Sequence, residues 1–218
     1  MGLTAEAAKT ELLEKALALA ESRLPQHKAA PAKLFIRHFY RDVSPNDLVH
    51  RDPEDLYGAA LGLWSFGQTR LAGKPKLRAY TPRFEEHGWH STHTVIEIVN
   101  DDMPFLVDSV TAELTRRNLG VHLVIHPVFK VVRDEAGKAI DFPALEGTPA
   151  DAPSESHMHL EIDEQGSDAL ADIEAGILAV LADVRAAVQD WSKMRARMAE
   201  LTASIRDNPP KGIAPEDA

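Results

Sequence analysis

Apolar positions along the chain follow two periods. Over residues 5–24, Leu13, Leu17, Ala20 and Leu24 recur at helical spacing, and Pro25 ends the run. Residues 32–41, AKLFIRHFYR, predict a short aromatic-rich helix. Ser44-Pro45-Asn46-Asp47 and Asp52-Pro53-Glu54-Asp55 both read as helix starts, with a capping side chain, a proline and a first-turn acid. The second opens a helix to about Arg70, with Leu56, Ala60, Leu63, Trp64 and Phe66 inward and Gly58 and Gly62 allowing close packing.

The middle of the chain alternates. Residues 76–82, 91–99, 121–134 and 156–163 predict strands, the third interrupted by Pro127 and so suited to an edge or bulge. Between them, residues 103–120 predict a helix with Leu106, Val110 and Leu114 on one face and Gly120 as its stop. Residues 135–154 predict a long loop. The order strand, helix, strand, strand, helix is most of a ferredoxin-like βαββα sandwich, an α+β class. Its helices would roof Ile96, Ile98, Leu123, Ile125, Met158, Leu160 and Ile162, and residues 76–82 could take the place of a last strand.

From Leu170 the spacing is 3,4,3,4 through Ile173, Ile177, Val180, Val184, Ala187, Trp191, Met194, Met198, Leu201 and Ile205. One helix over 168–206 would run roughly 58 Å, beyond the reach of a small sheet. Its distal half needs a partner: the N-terminal helix, a neighbouring domain or a second copy. The expected organisation is a helical segment at 1–75, an α+β domain at 76–190, and a helix extension and linker at 191–218, the tail NPPKGIAPEDA being linker by composition.

Composition narrows the function. The chain has 218 residues, 44% of them hydrophobic, enough for a core. Its net charge of −10 and lack of basic clusters argue against nucleic acid. The absence of cysteine excludes disulfides and thiol chemistry, and no apolar run approaches a membrane span. These features predict a cytoplasmic protein with no membrane partner. No G-x-G-x-x-G, P-loop or G-x-S-x-G motif is present, so no cofactor-binding or catalytic residue is assigned.

Two clusters could carry chemistry. Asn100, Asp101 and Asp102, with Met103 and Phe105, form an acidic turn before the 103–120 helix. It reads first as a helix start satisfying free N–H groups, and second as a loop holding a small ligand. Among the histidines, His87, His90 and His93 sit three apart, and His122 with His126 and His157 with His159 share strand faces. If the strands pair, His93, Glu97, His122, His126, His157, His159 and Glu161 would share a face with several valines, as at a domain interface or, alternatively, a metal site.

Over about 91–190 the order of elements resembles an ACT domain, an amino-acid-sensing module of metabolic enzymes. Asp102-Met103-Pro104-Phe105-Leu106-Val107 stands at its motif, with Phe105 in place of the glycine that lets a ligand reach the backbone. That departure favours an assembly role over amino-acid binding. FIRHFYRDVSPNDLVHRDPEDLYGAALGLWSF, VNDDMPFLVDSVTAEL and GVHLVIHPVF further resemble the N-terminal region of the large bacterial NAD-specific glutamate dehydrogenases, over roughly 34–165. The resemblance implies a non-catalytic regulatory or assembly domain. It implies NAD and glutamate turnover in the complete enzyme, with other domains of the polypeptide and homo-oligomer copies as partners and an amino acid as candidate effector.

Overall fold

The computed structural model describes residues 4–142 and 151–207. Expectations for 143–150, within the predicted loop, and for the linker beyond 207 lie outside the described residues.

Four helices come first: α1 Ala5–Arg23, α2 Gln26–Tyr40, α3 Pro45–Leu48 and α4 Pro53–Phe66. Thr4 caps α1 by accepting from the Ala7 N–H, and Asp52 caps α4 by accepting from the Glu54 N–H. Helix α2 starts earlier than the pattern predicts and contains Pro31. Burial of Ala29 and Ala32 on either side of it offsets the one lost backbone bond.

The sheet follows: β1 Lys76–Tyr80, then the short α5 Phe84–His87, β2 Thr94–Asp101, α6 Leu106–Arg116, β3 Val121–Ile125 and β4 Val128–Lys130. The small pair β5 Val132–Arg133 and β6 Ala139–Asp141 precedes β7 Ser154–Ile162 and the long α7 Ser167–Asp207. Strand order is β1-β2-β7-β3, antiparallel throughout, with β4 also on β7. Pro127 splits the predicted 121–134 strand, and β3 and β4 share β7 as partner.

Both faces of the sheet are covered. Ile96, Ile98, Met158, Leu160 and Ile162 meet Leu106, Val110 and Leu114 of α6 and Ile173, Ile177, Leu181 and Val184 of α7. The opposite face meets α1, α2 and α4 through Phe35, Phe39, Leu56 and Leu63. Leu123 and Ile125 belong to this second core, contrary to the sequence expectation. A register shift between Val121 and Leu123 sets Leu123 opposite Glu161 and Ile125 opposite His159, turning them toward the N-terminal helices. Val124, opposite Leu160, takes the other face. Gly58 is where α4 approaches closely, since a Cβ there would lie 2.4 Å from that of Trp89, in the loop before β2.

The N-terminal helix is not the partner of the long one. Helix α1 packs on α2 and α4, whereas α7 packs on α6 and β1. Every described side chain from Gln189 to Asp207 is exposed.

Candidate functional site

The acidic turn does not start the helix. Asn100 and Asp101 are the last residues of β2, and the residue before α6 is Phe105, left-handed at φ 70° with no side-chain cap. Asp101 instead accepts from Arg70 at 2.7 Å and from Arg185 at 2.8 Å, and Arg185 also donates to Asn100 Oδ1 at 2.9 Å. Burial would raise the Asp101 pKa, but the two guanidinium groups outweigh it and hold the carboxyl below its usual range.

The remaining candidates diverge. The Asp102 backbone N–H donates to the Ser154 carbonyl, and Met103 packs on the α6–α7 core. Phe105 is 65% exposed and lines an apolar groove of about 440 Å3 with Pro104, Ala187, Val188 and Trp191. The five residues therefore share no ligand cradle. Two tie the strand end to α4's flank and α7, and one borders a greasy groove.

The polar groups that do converge lie between the sheet and the N-terminal helices. Glu97, Glu155, His157, His159 and Glu161 are all buried there. Glu155 accepts from Arg70 at 2.7 Å and from two Arg133 nitrogens at 2.7 Å each. Burial opposes its charge, but Arg133, His157 and Arg70 hold its pKa well below the carboxylate range. Arg51 grips both Glu161 oxygens, at 2.5 and 2.8 Å, and the Glu161 pKa is lowered to about 2 against burial by His159 and Arg51. Glu97 accepts from Arg78 at 2.7 Å and from the Tyr80 hydroxyl at 3.0 Å. Each of these three carboxylates is paired with at least one arginine, which ties the sheet to the segments around it.

The histidines do not gather. Among the described residues no three His, Asp or Glu side chains are placed to hold a metal ion. His87 stacks on Tyr80, His90 bonds Asp55, and His126 meets Ser156 Oγ at 2.6 Å. His122 bonds Asp163 at 2.7 Å with its ring 4.3 Å from that of His93. His157 stacks on Phe142 at 4.7 Å, and His159 sits between Glu97 and Glu161. The shared face expected from the sequence is real for Glu97, His157, His159 and Glu161, with half-buried His93 at its edge 3.6 Å from Glu161, and it lies at an interface. Sequence reasoning missed Arg51, Arg70, Arg78, Arg133, Arg185 and Glu155. The one signal for them is a buried strand, ESHMHLEI, carrying an acid or a histidine at every second position, which requires partners from elsewhere.

The family model described as the glutamate dehydrogenase ACT1 domain matches residues 35–177. The NAD-specific glutamate dehydrogenase of Halomonas elongata is 40% identical over 213 residues, 97% of this chain and 13% of that protein. That of Pseudomonas aeruginosa is 37% identical over 186 residues, 83% of this chain and 12% of that protein. That of Mycobacterium tuberculosis is 30% identical over 159 residues, 70% of this chain and 9% of that protein. The chain thus spans 13% or less of the length of these curated relatives. With most of its length inside the matched region, the chain belongs to the family of the glutamate dehydrogenase ACT1 domain.

Proposed function

We propose that this chain is a non-catalytic regulatory or assembly domain of an NAD-specific glutamate dehydrogenase, with assembly the stronger role. The complete cytoplasmic enzyme would oxidise L-glutamate with NAD and water to 2-oxoglutarate, ammonia and NADH. The observation that supports the reading is the occupation of the acidic turn by Arg70 and Arg185, together with a phenylalanine at position 105 where the ACT-like motif has glycine. The strand order supports an ACT-like, ferredoxin-like reading in which β2, α6, β3, β7 and α7 form the βαββα unit and β1 replaces a last strand. No described helix is long and apolar enough to cross a membrane.

The test is to supply the isolated chain with L-glutamate and NAD and follow NADH absorbance. No turnover is expected, and turnover would overturn the reading. A thermal-shift screen with the twenty amino acids separates sensing from assembly. An effector at 100 times its Kd would add about 2.7 kcal/mol, and no shift is expected.

A further inference from the structure

We propose that the distal part of α7 pairs with the same segment of a second copy of this chain as a parallel, in-register, two-stranded coiled coil. The inference deepens the assembly reading and rests on it. The 3,4 spacing assigns Trp191, Met198 and Ile205 to one line of seam positions and Met194 and Leu201 to the other. The same stripe is buried nearer the start of the helix, at Ile173, Ile177 and Val184. Beyond Gln189 it has no cover among the described residues: Trp191 and Met194 are 59% exposed, and Met198 is 64% exposed. The segment from Gln189 to Asp207 extends roughly 28 Å at 1.5 Å per residue, and the residues off the stripe are polar or small, as a solvated coil back requires. The groove at Pro104, Phe105 and Trp191 continues the apolar surface at its root.

Charge selects the occupant and its direction. In a parallel in-register pair, the residue flanking one seam line meets the residue five positions on in the other helix. Asp190 of each copy then meets Arg195 of the other, giving two symmetric opposite-charge pairs. Among the described residues Asp190 is ion-paired with Lys193 of its own helix, at 3.7 Å. The antiparallel register that covers the whole seam, centred between Met194 and Met198, would set Arg195 near Arg195 and Arg197 near Arg197. Leu201 and Ile205 stand at the positions where leucine and a β-branched residue favour two strands.

The test uses the chain's lack of cysteine. Met198→Cys should oxidise to a disulfide-linked dimer, whereas Lys193→Cys, on the outer face, should not. Light scattering should show a concentration-dependent dimer. Asp190→Arg should weaken it about tenfold, a change of ~1.4 kcal/mol, and adding Arg195→Asp should restore it. Monomer at every concentration, equal cross-linking of both cysteine variants, or no rescue by the charge swap would each overturn the seam. Failure of the wider assembly reading is read separately: the complete enzyme lacking residues 1–218 would keep its full oligomeric mass.

Discussion

His157 and His159 stand two residues apart on one buried strand face, and their surroundings shift their pKa values in opposite directions. Burial, with the ring against Phe142 and Phe129, lowers the His157 pKa despite Glu155 at 3.5 Å. Burial would push His159 the same way, but Glu161 and Glu97, 3.6 and 3.8 Å from its nitrogens, outweigh it and raise its pKa. Those distances are too long for hydrogen bonds, so the attraction is Coulombic. The other groups facing this site are Arg51, Arg78, Tyr40, Tyr80 and His93. Because the folded pKa lies above the unfolded one, the stability that charged His159 contributes is complete below about 6.5 and is lost as pH rises through the raised value. Glu161 acts in the opposite window: its contribution is present above 4.5 and lost as pH falls toward about 2. His159→Gln should therefore cost about 2 kcal/mol at pH 6, since both glutamates keep an arginine, and less at pH 9. Urea midpoints at the two pH values measure this, and an equal or larger loss at pH 9 would refute a charged imidazole.

At the scale of elements, Phe105 makes the join between β2 and α6 unusual. It is a bulky residue at φ 70°, where a side chain costs about 1–2 kcal/mol, and its ring is 65% exposed. Phe105→Gly removes that strain but frees the unfolded chain, so a net gain of about 1 kcal/mol is expected in denaturant melts. A loss would mean the ring contributes more in its groove than the backbone strain costs. The sequence marked this join only through the resemblance, which has a glycine where Phe105 stands. Acids followed by proline read as a cap, and only the fold shows them turned back to Arg70 and Arg185. The strands and long helices were legible because periods of two and of 3.6 are local properties. The bulge at Val121–Leu123 was not, since one added residue reverses a face without altering composition. The arginine partners were illegible for a related reason: Arg70 and Glu155 are 85 positions apart, and no local pattern reports such a meeting.

For the whole molecule, the sheet's charged face decides what can fold alone. Glu97, Glu155, His159 and Glu161 lie under helices supplied by the first 75 residues, and two of their cations, Arg51 and Arg70, come from that same stretch. Val99, Leu123, Ile125 and Phe129 lose their cover with it. A chain of residues 76–218 would keep its α6–α7 core, yet would expose a face whose carboxylates have lost half their partners. Removing one partner of a buried pair typically costs about 3–5 kcal/mol, comparable with the entire stability of a small domain. That fragment should therefore show no cooperative thermal transition by near-ultraviolet circular dichroism. The opposite truncation should be nearly silent, because the described side chains beyond Gln189 are exposed. A chain ending at residue 190, studied dilute enough to exclude pairing, should melt within about 2 °C of the intact one. A sharp transition in the 76–218 fragment would show that the sheet and its two long helices suffice, and that the N-terminal layer is an accessory to a fold already complete.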